Sequence, residues 1–195
     1  MSSGTPDKNV LIVCWDFPPN HAIGGRRWAK IAKSMLRLGY TVSVLTREPG
    51  APNGKIPWIS KKDWESMTLY YCPPGRWSTW LADYKSSLGF LKIRIARFLL
   101  SRFYNGTVFD KAIDVETPFL RISEKIIKER NIGTVCVTGA PYNLLYYTAR
   151  LRARFPELRI IADYRDPWMH AQNYGMQNLS PKKKQQELEK RYFKP

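Results

Sequence analysis

The residues best suited to chemistry fall in two short clusters far apart in the chain. The first is Gly24-Gly25-Arg26-Arg27, which follows the stretch Asp16-Phe17-Pro18-Pro19-Asn20-His21-Ala22-Ile23. Two prolines stiffen that stretch, two glycines let the backbone approach another group closely, and two arginines come next. At the start of a helix, unpaired N–H groups and the helix dipole would add to the positive charge, so the cluster suits a phosphate or another acidic group. The competing reading is a loop that needs Gly24 and Gly25 only to turn. His21 is a lone loop histidine.

The second cluster is Asp163-Tyr164-Arg165-Asp166-Pro167-Trp168. Asp163 and Asp166 flank Arg165, so each carboxylate could hold its guanidinium or a sugar hydroxyl. Trp168 could stack on a sugar ring. The competing readings are an ion pair closing a strand end and a tryptophan packed in the core. A third loop, Thr138-Gly139-Ala140-Pro141, has the same strand-end character, with Gly139 as its point of close approach.

Several other chemistries lack their residues. A dinucleotide fingerprint needs GxGxxG in a tight turn, whereas this loop is long and holds a GG pair; Glu48 alone is a poor ribose ligand. The phosphate loop GxxxxGK[ST] is absent. Cys14, Cys72 and Cys136 are isolated and lack metal spacing, which predicts buried free thiols in a reducing compartment and no metal site.

These clusters need elements to position them. Apolar runs predict strands over 10–15, 41–46, 68–72, 132–138 and 158–164. Trp28, Ile31, Ala32, Met35, Leu36 and Leu38 recur at helical spacing and predict a helix over 26–38, ended by Gly39. Further helices are expected within 110–131, opened by Thr117-Pro118, and over 142–154 and 182–193, with a helical turn at 63–67. Leu144, Leu145, Thr148, Leu151 and Phe155 suit the buried face of the 142–154 helix. Arg150, Arg152 and Arg154 suit its C-terminal dipole. Strands alternating with helices predict a doubly wound, mostly parallel α/β sheet. Ligands of such sheets bind beyond the carboxyl ends of the strands, where loops 16–25, 139–142 and 163–168 would face one crevice.

In order and spacing the chain resembles the N-terminal domain of family 4 glycosyltransferases of the GT-B fold. The matching residues are Phe17-Pro18-Pro19, Gly24-Gly25-Arg26, Ile31-Ala32, Leu36, Gly39-Tyr40, Val42 and Val44-Leu45-Thr46, then Asp163-Tyr164-Arg165-Asp166-Pro167-Trp168. The likeness runs from Lys8 to about Arg191 and is weakest between Glu48 and Thr117. It implies the acceptor-binding half of a retaining, metal-independent hexosyltransferase that uses a nucleotide-sugar as substrate and no separate cofactor. The donor would be held mainly by a second, C-terminal domain, and the acceptor would be a glycan or a lipid-linked group. Gly24, Gly25, Arg26, Arg27, Gly139, Asp163 and Trp168 would bind substrate or phosphate. Many relatives carry His-Asp after the last of these strands, the histidine touching the donor sugar. Here Arg165-Asp166 stand there, so these two take the catalytic positions and the histidine role has no match. Glu116 and Glu124 reproduce the spacing of the family's donor motif, but that motif belongs to the second domain, and here the pair falls on an ordinary amphipathic helix with a solvated face. The 195 residues hold no second βαβ series, so an isolated first domain, inactive by itself, is expected. The rival reading is a Rossmann-like module that binds a nucleotide or anion without chemistry.

Charge sets the partners. The chain has 32 basic and 16 acidic residues, a net charge of +16, and 44% hydrophobic residues. That field attracts anions: phosphate-bearing substrates, an anionic membrane, or nucleic acid. No apolar run is long enough to span a bilayer. Residues 1–9 are polar and lack a signal core, and are expected to be a disordered lead. Residues 76–104 form a basic, aromatic insertion. Trp77 and Trp80 precede a helical pattern in which Arg94, Arg97 and Ser101 share one side and Leu91, Ile95, Phe98 and Leu99 the other, with Lys92 and Arg102 interrupting the apolar side. One reading is an interfacial helix on anionic lipid, with Trp77, Trp80, Arg94, Arg97 and Arg102 in contact with it. The other is a core helix whose arginines snorkel to water. A nucleic-acid partner lacks any accompanying RNA- or single-strand-binding pattern. The expected location is cytoplasmic, peripheral on the inner membrane face.

Overall fold

The computed structural model describes residues 8–20, 22–49, 59–75, 95, 98, 111–139, 141–164 and 190. Five strands, β1 (Asn9–Val13), β2 (Thr41–Arg47), β3 (Thr68–Cys72), β4 (Thr134–Thr138) and β5 (Arg159–Asp163), form one sheet in the order β3-β2-β1-β4-β5. Every pairing is parallel. The expected doubly wound α/β fold is therefore present.

A parallel sheet must be covered on both faces, so its central strands read as near-continuous apolar runs. In β1, Leu11 and Val13 point to one layer, and Val10 and Ile12 to the other. The first layer holds α3 (Glu116–Glu129), α4 (Asn143–Arg150) and a 3-10 turn, Leu151–Ala153. The second holds α1 (Ile23–Arg37) and α2 (Lys61–Glu65). Each fully buried aliphatic side chain contributes about 1.5–3 kcal/mol of transfer free energy.

Local chemistry sets the helix ends. Gly39, at φ +79°, takes the left-handed position after α1. Its N–H donates to Leu36 O, and Tyr40 N–H reaches back to Met35 O. Asn131 does the same for α3 at φ 48°, with Ile132 N–H donating to Ile127 O. Ser60 caps α2: its hydroxyl accepts from Asp63 N–H at 3.1 Å and donates to the Asp63 carboxylate at 2.7 Å.

The structure corrects four sequence expectations. α1 begins at Ile23, not Arg26, so Gly24 and Gly25 lie inside its first turn. The expected turn at 63–67 is α2, two residues earlier. α4 is buried along Asn143–Thr148 rather than on one face, because it is wedged between the sheet and α3. Tyr147 meets this burial by donating its hydroxyl to Ala112 O at 3.0 Å. Lastly, Arg150 pairs with Glu116 and Arg154 with Glu124, across the α3–α4 interface. These cations link two helices instead of only meeting a dipole, and the two glutamates are ion-pair partners rather than a merely solvated face. Such half-exposed pairs contribute about 0–1 kcal/mol each. The helix expected over 182–193 lies outside the described residues except for helical Lys190.

The three cysteines are buried and free. Burial, then the nearby Asp16 charge, pushes the Cys14 thiol from 9.0 to about 12. Burial, then Glu48, does the same for Cys72, and burial also raises Cys136. A thiol raised in the folded state stabilises fully below the unfolded value, and that contribution fades as pH climbs from about 9 towards 12. At pH 8 a thiol-specific chromogenic reagent should label the native chain far more slowly than the urea-unfolded one, which should yield all three thiols at once. Rapid labelling of the native chain would contradict this burial.

Candidate functional site

The strand order reverses between β1 and β4, so the loops leaving these two strands diverge and open a crevice at their carboxyl ends. The β1 exit is tightly laced. Cys14 N–H donates to Leu45 O at 3.0 Å and Arg47 N–H to Trp15 O at 3.2 Å. The Thr46 hydroxyl donates to Trp15 O at 2.9 Å and accepts from Phe17 N–H at 3.2 Å. Pro18-Pro19 is a cis peptide. The Asp16 carboxylate takes Arg47 Nε at 2.8 Å and Lys111 Nζ at 3.6 Å.

α1 starts directly against this exit. A Cβ on Gly25 would lie 1.8 Å from Asp16 O, a backbone atom that cannot swing away, so only glycine fits. The same close approach points the helix start into the crevice. Its N-cap is Ala22, which offers no side-chain oxygen, and its first turn contains no acid. The early N–H groups of Ile23, Gly24 and Gly25 therefore lack a side-chain cap, beside Arg26 and Arg27. Next to them, the Asn20 amide is 8% exposed, and its Nδ2 donor is buried with no hydrogen-bond partner.

The far wall comes from β4 and β5. Asp163 ends β5 and reaches α1, where its carboxylate accepts from Arg27 and, at 3.0 Å, from Trp28 Nε1. Its carbonyl accepts from Gly139 N–H at 2.9 Å. Gly139 is close-packed as well: a Cβ there would stand 3.2 Å from Leu145 Cδ1 and 3.4 Å from Tyr142 Cε1.

The structure thus brings together Gly24, Gly25, Arg26, Arg27, Gly139 and Asp163. It also partners Arg27 with Asp163, so their charges are spent largely on each other. What this assembly can do is hold an anion at the α1 start. Asp16 and Asp163 are clasped by cations and act as fixed struts. His21, Arg165, Asp166 and Trp168 lie outside the described residues, as do Trp77, Trp80, Arg94, Arg97 and Arg102. Of the 76–104 insertion, Ile95 and Phe98 are described; both are helical, and they are 53% and 67% exposed. No described helix is long and apolar enough to cross a membrane.

Sequence reading missed four participants. Arg47 and Lys111 reach Asp16 from distant segments, and no local spacing announces them. Trp28 is both a core residue and a hydrogen-bond donor to Asp163, a double role hidden by its apolar periodicity. Asn20 carries the only local hint, an amide placed directly after the two prolines of the loop. No family model matches the chain, and no curated protein matches it significantly.

Replacing Gly25 by Ala should cost at least about 1–3 kcal/mol, because backbone must move to admit the methyl group. A urea midpoint equal to wild type would show that α1 does not start against Asp16. Asp163→Ala removes acceptors from Arg27 and Trp28 at once and should cost about 1–2 kcal/mol, allowing for their partial exposure. The same variant should change Trp28 fluorescence; an unaltered spectrum and unaltered stability would argue against the contact.

Proposed function

We propose that the chain is the N-terminal, acceptor-side domain of a retaining family 4 glycosyltransferase that uses a nucleotide-sugar donor. The observation that carries this reading is the α1 start. It lacks any side-chain cap, bears Gly24-Gly25-Arg26-Arg27, and lies at the β1/β4 switch point beside Gly139 and Asp163. That is where negative charge would have to be met when a nucleoside diphosphate leaves.

In this reading the donor rests mainly on a second domain across the cleft. As the glycosidic bond to the diphosphate breaks, charge grows on the leaving oxygens and an oxocarbenium-like sugar forms. The α1 N–H groups and Arg26 supply fixed positive potential there, with no reorganisation at the moment of reaction. The Arg27–Asp163 pair holds α1 against β5 and so keeps this donor set aimed. Arg165 and Asp166 follow Asp163 closely in sequence, and in this reading they approach the reacting sugar, with Trp168 against the acceptor ring. The acceptor is a glycan or lipid-linked group, and the protein works peripherally at the cytoplasmic membrane face. Exposed Ile95 and Phe98 support the membrane part, since a core-packed helix would bury them.

One observation favours the rival, a nucleotide- or anion-binding module without chemistry. Neither Asp16 nor Asp163 is left unpaired to move a proton. The reading frame downstream of codon 195 separates the two. A second βαβ series with a Glu-x7-Glu motif supports the transferase, and the full-length product should then release nucleoside diphosphate from one of a panel of nucleotide-sugars. A frame that closes at that codon overturns the transferase reading.

A further inference from the structure

The two layers that cover the sheet differ in where their acids sit. α3 carries its own acids, Glu116, Glu124 and Glu129, paired with Arg150, Arg154 and Lys125. α1 contains Arg26, Arg27, Lys30, Lys33 and Arg37 and no acid at all. The acids nearest to it are each taken: Asp163 by Arg27, Asp63 by Lys33, and Glu65 by Lys61. Lys30, Arg37 and Lys62, with Lys8 beside the end of α1, are then in excess over the acids of that layer.

The exposed positions of α1 make one stripe. Ile23, Arg26, Arg27, Lys30, Ser34, Arg37 and Leu38 are exposed, and at about 3.6 residues per turn they span roughly a third of the circumference. Gly25, Trp28, Ala29 and Ala32 fill the opposite, buried side. Two large aliphatic side chains bracket the cations: Ile23 is 80% exposed at the helix start and Leu38 69% exposed at its end. Neither packs in the core, although core-facing positions on the same helix do.

We infer that the outer face of α1 is a docking surface for an anionic lipid bilayer, with the helix lying along the membrane plane. Cations flanked by outward aliphatic side chains match such a surface, because lipid headgroups take the charge and the acyl boundary takes Ile23 and Leu38. A nucleic acid would meet the cations equally well but would gain nothing from the two aliphatic groups. The start of α1 also borders the crevice, so this seating brings the candidate site to the membrane edge, within reach of a lipid-linked acceptor. The inference rests on the peripheral-membrane part of the proposed function and names a surface for it distinct from the 76–104 insertion.

The test is co-sedimentation of the chain with vesicles of phosphatidylcholine alone or mixed with phosphatidylglycerol, at low and at physiological salt. The wild type should bind the mixed vesicles and not the neutral ones. Lys30→Ser with Arg37→Ser should weaken binding by about five-fold per cation removed. Ile23→Ser with Leu38→Ser should weaken it at equal charge. Lys125→Ser with Lys128→Ser, on the other layer, should leave it nearly unchanged, and circular dichroism should show every variant folded. If the wild type ignores mixed vesicles, both this inference and the membrane reading fall. If Ile95→Ser with Phe98→Ser abolishes binding while the α1 variants retain it, the membrane reading survives and this inference is overturned. If an oligonucleotide of equal charge binds as tightly and the Ile23/Leu38 variant binds vesicles like wild type, the face is a general polyanion surface and the inference is again overturned.

Discussion

The contact between the Gly25 backbone and Asp16 O governs the described site. A helix can begin this close to the exit of the central strand only where one residue has no side chain. That approach has a sequence of consequences. It aims the first turn of α1 into the crevice rather than over the sheet. It puts Trp28 and Arg27 one turn further along, at the height of the β5 end, where Asp163 meets both. The residue at the cap is alanine, which offers no side-chain oxygen. A serine or aspartate cap would contribute about 1 kcal/mol, so the site forgoes local helix stability and keeps its positive end unquenched.

The neighbouring ion pairs work as spacers. Asp16 gathers cations from β2 and from Lys111, and Asp163 gathers one from α1, so each wall of the crevice is tied to a neighbouring segment. Partly exposed pairs of this kind add little to global stability. Their effect is positional: they restrict side chains that would otherwise sample several rotamers at the strand ends. The α3–α4 layer interleaves acids with its cations, whereas α1 carries five cations and no acid of its own.

Much of this was legible in the sequence, and the reasons for the rest are physical. β2 and β3 could be placed almost to the residue because apolar β-branched and aromatic runs end at Glu48-Pro49 and at Pro73-Pro74. The doubly wound topology followed from the alternation of strand and helix patterns. The start of α1 was misjudged because glycine is a poor helix former in general, yet in a first turn its unpaired N–H costs nothing extra. The full burial of α4 was hidden because Asn143, Tyr146 and Tyr147 look like an outward face until α3 closes over them. Glu116–Arg150, Glu124–Arg154 and Asp16–Lys111 join residues far apart in sequence, and a pattern with a period of two or 3.6 carries no information about such pairs. Of the candidate site, the glycine-arginine cluster and Asp163 could be named in advance. That they neutralise one another in part could not.

The order β3-β2-β1-β4-β5 also has a consequence for how the chain is made. β1, β2 and β3 leave the ribosome first and can assemble with α1 and α2, which cover Val10, Ile12, Val42 and Val44. Leu11, Val13 and Leu45 belong to the other face, and their cover, Phe119, Ile126, Leu144 and Leu145, is translated much later. At about 5–20 residues per second, this half-clad sheet persists for on the order of ten seconds per molecule. During that interval β1 also has one vacant hydrogen-bonding edge, the one that β4 will fill. The nascent chain is consequently most prone to aggregation after β3 has emerged and before α4 has, which makes this the interval in which a ribosome-bound chaperone would matter.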